Sequence, residues 1–191
     1  MNQKESKAFL LQKLYEPYKK CIACPLGTLG RINVVFGEGN PDARLMIIGE
    51  APGKDEDEQG VPFVGRSGKF LTKVLLSLAI DRKELFITNS VKCRPPQNRK
   101  PTPLERQTCK DLLLLKQIEI IQPLAICTLG SAAIESLLEK PVKMNEIRDC
   151  KLFFGSIPII ATYHPAYIMR NPKKLDLLLK DLQTAYSICK Q

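Results

Sequence analysis

Four short apolar runs recur along the chain between stretches of helical period. They are Arg44 to Gly49 (RLMIIG), Leu85 to Asn89 (LFITN), Leu124 to Leu129 (LAICTL) and Pro158 to Thr162 (PIIAT). Each is too short for a helix and reads as a buried strand. The helical stretches are Glu5 to Tyr18, Ser67 to Ala79, Pro103 to about Gln122, Ser131 to Leu138 and Pro172 to Ser187. Thr102 and Pro103 form a helix-start signal, a capping hydroxyl followed by a proline in the first turn. Pro95 to Pro103 holds four prolines and cannot be regular structure. Strands alternating with helices predict an α/β fold with a parallel sheet covered on both faces. The 191 residues suit one domain over 1–191.

In such sheets ligands bind beyond the carboxyl ends of the strands. Three segments leave at those ends: GEAPGKDEDEQG after the first strand, NSVKCRPP after the second and YHPAYIMR after the last. They are remote in sequence, yet this topology brings them to one edge.

The chemistry of those segments narrows the choices. Gly49 to Lys54 (GEAPGK) has one residue too few between its glycines for a phosphate-binding loop, and Gly65 to Lys69 (GRSGK) also fails. The neighbouring carboxylates would repel a triphosphate, so a nucleotide triphosphatase is rejected. The glycines instead let backbone approach a flat ligand, with Phe63 as its stacking face. His164, the single histidine, ends a strand before Pro165. A neutral imidazole there can donate a hydrogen bond to a developing anion. Asp55, Asp57 and Glu58 read as solvated loop charges.

Seven cysteines, an odd number, in a chain whose start lacks the long apolar core of a signal peptide argue against a disulfide framework. The expectation is a cytoplasmic protein. Cys21-x2-Cys24 supplies two corners of a tetrahedral site, and Cys93 and Cys109 can complete it. Zn²⁺ and a [4Fe–4S] cluster are not separable by spacing. The competing reading makes Cys93 and Cys109 ordinary core thiols. Cys127, Cys150 and Cys189 read as non-ligands. The net charge of +9 favours a polyanionic partner, most simply nucleic acid.

Together these pieces resemble the type 4 uracil-DNA glycosylases, the iron–sulfur branch of the uracil-DNA glycosylase superfamily. The resemblance runs from Cys21 to Leu182. It rests on the C-x2-C pair, on GEAPGKDEDEQGVPFVGRSG at Gly49 to Gly68, on TNSVKCRPPQNRKPTP at Thr88 to Pro103, and on HPAYIMR at His164 to Arg170. It implies a three-layer α/β/α sandwich with a central, mostly parallel four-stranded sheet. It also implies a [4Fe–4S] cluster on Cys21, Cys24, Cys93 and Cys109, a structural zinc being the alternative.

The implied activity is removal of uracil from DNA by a monomeric enzyme. Phe63 would stack on the flipped base and Asn89 would read it. His164 would hydrogen-bond uracil O2, and Glu50 would orient or activate water. Gly49, Ala51 and Gly53 would line the base, with Glu56 or the backbone near Ala51 to Gly53 excluding the thymine methyl. Arg94, Arg99 and Lys100 would meet phosphates, and Ile168, Met169 and Arg170 would fill the gap in the stack. The competing reading is a catalytically silent DNA-binding or replication-accessory module on the same fold. A covalent DNA-trapping variant would need an inserted basic loop after the first motif, which this chain lacks.

Overall fold

The computed structural model describes residues 5–190. In chain order the elements are α1 (Lys7–Tyr15), β1 (Glu38–Gly39), β2 (Leu45–Gly49), α2 (Lys54–Gln59), α3 (Arg66–Ser77), β3 (Phe86–Asn89), α4 (Pro103–Cys109), α5 (Leu115–Ile121), β4 (Ala125–Leu129), α6 (Ser131–Leu138), α7 (Met144–Ile147), β5 (Leu152–Phe154), β6 (Ile157–Thr162), α8 (Pro165–Arg170) and α9 (Leu175–Ile188).

The strands form one sheet in the order β1-β3-β2-β4-β6-β5. Its β3-β2, β2-β4 and β4-β6 pairings are parallel, and those of β1 and β5 at the two edges are antiparallel. This corrects the expectation of a four-stranded, mostly parallel sheet: it is six-stranded and mixed. The four runs read from the sequence are the central strands. Both edges escaped notice for local reasons. β1 is two residues long and polar. β5 folds back on β6 through a tight turn at Gly155, whose φ is +58°.

Period-two alternation divides each central strand between two cores. Leu45 and Ile47 of β2 and Cys127 of β4 face α3 and α9, where they meet Leu71, Leu75, Leu178 and Leu182. Met46, Ile48 and Ile126 face the opposite way, onto Leu11, Ile118, Ile121 and Ile134 of α1, α5 and α6. The predicted helix from Pro103 is interrupted: a π-helical turn at Lys110–Leu114 separates α4 from α5, directly after Cys109. Thr102 caps α4 as expected, its hydroxyl accepting from the Glu105 N–H at 3.3 Å.

Two segments read as loops are helical. The acidic stretch forms α2, and Glu56 closes its first turn by accepting from the Gly53 N–H at 3.1 Å. Asp57 is not a solvated charge: it is only 1% exposed and accepts from the N–H groups of Ile32 and Asn33 at 2.9 and 3.1 Å. Asp55 and Glu58 are exposed. HPAYIMR forms α8.

Candidate active site

β2 and β3 run in register so that Gly49 pairs with Asn89 at their carboxyl ends. A Cβ added to Gly49 would collide with Asn89 Oδ1 and stand 2.5 Å from Phe63 Cζ. Only a residue without a side chain lets these two groups approach the strand end. Asn89 is 1% exposed, and its Oδ1 has no hydrogen-bond partner among the described residues. A buried amide oxygen left unpaired is costly unless a ligand supplies the donor.

The ring of Phe63 lies 5.9 Å from that of His164, centre to centre. His164 is the N-cap of α8: its Nδ1 accepts from the Ala166 N–H at 3.1 Å. That bond commits the neutral ring to carrying its proton on Nε2. Burial, reinforced by the nearby Arg170 charge, lowers its pKa to about 4, so the imidazole is neutral at pH 7. The three loops meet as the topology predicts. Glu50, Ala51, Gly53, Glu56, Phe63, Asn89, His164 and Arg170 all line one cavity of about 450 Å³. Glu50, His164 and Arg170 also line an adjoining hollow of about 530 Å³ and so stand between the two. Burial raises the Glu50 pKa; Lys100 and Arg106 oppose the shift and Glu135 adds to it.

Several predicted residues have other employment. Glu56 spends one carboxylate oxygen on Gly53 and the other on the N–H groups of Val64 and Gly65, at 3.0 and 2.8 Å. It clamps the loop and, held rigidly by these bonds, still lines the cavity. Arg99 makes a two-pronged pair with the buried Glu105 at 2.8 and 2.7 Å, and Lys100 pairs with Glu135 at 2.8 Å. These pairs shape the proline-rich loop before any phosphate arrives. Arg94 donates to Asn98 Oδ1 at 2.8 Å. Ile168 is 1% exposed in the core against α3, which removes it as a wedge; Met169 is partly exposed and Arg170 exposed.

Cys21, Cys24, Cys93 and Cys109 meet around Leu26, Val34 and Val91, and all four are free thiols. Burial pushes Cys93 up to about 12 and Cys109 up to about 11, so neither ionises at neutral pH without a compensating positive charge. Donors already point at them: the Lys92 N–H lies 3.3 Å from Cys109 Sγ. Arg31 holds the Cys21 carbonyl at 2.8 Å, while its buried Nε has no partner among the described residues. No group of three or more His, Cys, Asp or Glu among the described residues is placed to hold a single metal ion.

The uracil DNA glycosylase superfamily profile matches residues 36–185. A type-4 uracil-DNA glycosylase of Thermotoga maritima is 44% identical over 186 residues, covering 95% of this chain and 96% of its own. Type-4 uracil-DNA glycosylases of Pyrobaculum aerophilum and Archaeoglobus fulgidus are 42% and 35% identical, over 90% and 94% of this chain and 91% and 93% of theirs. The chain belongs to the type-4 uracil-DNA glycosylase family.

Beside the residues that mark the type-4 family, the fold recruits others that spacing did not reveal. Lys92 is completely buried, and its ammonium donates to Thr88 Oγ1, the Asn89 carbonyl and Gln117 Oε1 at 2.5, 2.8 and 2.6 Å. Burial pulls its pKa down to about 7, with Cys109 opposing. It thus joins the cysteine group to the strand end that carries Asn89. Pro52 and Tyr167 line the cavity without having been singled out. The only available signal was position within the motifs, since a lysine beside a cysteine in a loop ordinarily reads as surface charge.

Proposed function

We propose that this protein excises uracil from DNA, hydrolysing the N-glycosidic bond to release free uracil and leave an abasic site. The observation that carries the reading is the buried, unpaired Oδ1 of Asn89 beside the ring of Phe63. That pairing offers a face on which a base can stack and an edge that can read it.

Uracil in a duplex is inaccessible, so its nucleotide must be flipped into the slot. There Asn89 Oδ1 accepts from N3–H and its NH₂ donates to O4, whereas cytosine presents the reverse pattern. Phe63 supplies the stacking face. Bond cleavage puts negative charge on the base and positive charge on the sugar. The neutral His164, with its proton on Nε2, donates to O2 as that charge grows. The Glu50 carboxylate favours the cationic sugar and positions water at C1′. Exclusion of the thymine methyl falls to Glu56, fixed in place by its backbone bonds, or to the backbone near Ala51 to Gly53, all of which line the cavity. With Ile168 buried, Met169 and Arg170 are left to meet the gap in the stack. Arg94 and Arg170, which have no ion pair among the described residues, are better phosphate contacts than Arg99 or Lys100.

Cys21, Cys24, Cys93 and Cys109 would hold a [4Fe–4S] cluster. Membership of the type-4 family, the iron–sulfur branch, supports a cluster over a structural zinc on the same four cysteines. The cluster would supply structural cross-linking, tying the segment after α1 to the loop of Arg94 and to α4. The test is incubation with a uracil-containing oligonucleotide alongside Asn89→Ala. Turnover to an abasic product by the parent chain, with at least a ~10²-fold loss in the variant, supports the assignment. Binding without cleavage would instead favour the silent module, and a stable protein–DNA adduct the covalent variant.

A further inference from the structure

Phe63 has a backbone φ of +53°, in the left-handed region that bulky residues avoid. Such a conformation persists only where the surroundings over-determine it. Here the strained residue is also the proposed platform for the base, so whatever holds its backbone also aims its ring.

The segment around Phe63 is gripped from two sides. On one side Glu56 takes the N–H groups of Val64 and Gly65. On the other lies Arg82, just before β3. Its Nη2 donates to the Pro62 carbonyl at 2.8 Å, and its Nη1 to the Phe63 carbonyl at 3.1 Å. The same guanidinium is held in place by Thr72 Oγ1 at 3.0 Å and Glu38 Oε1 at 3.0 Å. Gly68 completes the seat: a Cβ there would collide with the Phe63 backbone. Arg82 lines a separate hollow of about 710 Å³, which shares no residue with the proposed base slot.

We propose that Arg82 is a positioning residue for base capture: by holding the adjacent carbonyls of Pro62 and Phe63 in one fork, it fixes the left-handed turn that presents the Phe63 ring. A guanidinium suits the task because its planar array of donors reaches two carbonyls and two outer anchors at once. An ammonium is a point charge without that fixed fork. Arg82 also stands at the entrance to the strand that ends in Asn89, so one residue joins the stacking face to the reading edge. The proposal rests on the uracil-excision reading.

The experiment compares the parent chain with Arg82→Lys, Arg82→Gln and Glu38→Gln. Three quantities are measured on each: single-turnover uracil release, inhibition by free uracil, and binding to an oligonucleotide carrying an abasic site. The expected result for the Arg82 variants is about a 10- to 100-fold loss of excision, the scale set by small misplacement of a reacting group. Inhibition by free uracil should weaken in parallel, and abasic-site binding should stay within about twofold, because that ligand has no base to stack. Glu38→Gln, an exposed change outside the slot, should show the same pattern at about two- to fivefold.

Excision and uracil inhibition that follow only the folded fraction, or a loss of abasic-site binding equal to the loss of excision, would overturn the proposal. If the Arg82 variants fold poorly, Glu38→Gln decides alone, and parent-like uracil inhibition in it counts against the idea. A parent chain that releases no uracil refutes the underlying activity instead.

Discussion

The aromatic ring of Phe63 and the imidazole of His164 face one another at 5.9 Å with 31° between their planes. One residue ends a loop after β2, and the other caps the helix after β6. Parallel strands deliver both loops to the same side of the sheet, so in the proposed reading a base stacked on the first would have the second beside it. Phe63 is held by contacts to its backbone and His164 by a bond to Nδ1, which leaves one face and one N–H for a ligand.

His164→Ala should lower the excision rate by about 10²- to 10³-fold, as removal of a single oxyanion donor does. Because burial holds the folded pKa at about 4, against an ordinary 6.5, the unfolded chain alone takes up this proton between those values. Stability should therefore fall as pH drops from about 6.5 to about 4, and this contribution should vanish in the variant. Denaturant unfolding across that range measures it.

Glu50→Gln should cost at least about 10²-fold in single-turnover rate while leaving DNA binding intact. The folded pKa of Glu50 is raised, so its carboxylate is lost to protonation at a higher pH than an ordinary one. Activity of the parent chain should decline on the acid side through this group, and the variant should show a flatter acid limb in its pH–rate profile.

Gly49→Ala should abolish most excision, by about 10²-fold or more, since the added methyl would meet Asn89 Oδ1 and the Phe63 ring together. The readout is uracil release set against abasic-site binding, which should persist.

Cys93→Ser or Cys109→Ser should reduce iron and acid-labile sulfide in the purified protein and remove the visible charge-transfer band. Melting should occur at a lower temperature, because the proposed cluster would cross-link the segment after α1 to the loop after β3 and to α4, beside a small apolar cluster. A chain with full iron content after either substitution would rule out this ligand set.

Lys92→Met should destabilise the fold by about 2 kcal/mol, since Thr88 Oγ1 and the Asn89 carbonyl each lose a buried donor. Chemical denaturation checks it. Uracil release corrected for the folded fraction should also drop, because the Asn89 backbone is no longer tied.

The sequence by itself determined a great deal. The spacing of its apolar runs selected a central parallel set of strands, and their carboxyl ends selected where chemistry would gather. The resulting convergence of Glu50, Phe63, Asn89 and His164 follows from topology, which local periodicity encodes. The edge strands were not legible, because a two-residue polar strand carries no periodic signal. Only the tertiary structure decided what each charge does. Arg99 and Lys100 looked like phosphate contacts until Glu105 and Glu135 were found beside them. Asp57 looked solvated until the N–H groups of Ile32 and Asn33 closed over it. Lys92 and Arg82 were not singled out in the sequence, yet one lies beside the cysteine group and the other holds the carbonyls of Pro62 and Phe63. The physical reason is the range of the interactions: burial pattern repeats every few residues and is written locally. The partner of a charge comes from elsewhere in the chain and is set only when the layers pack.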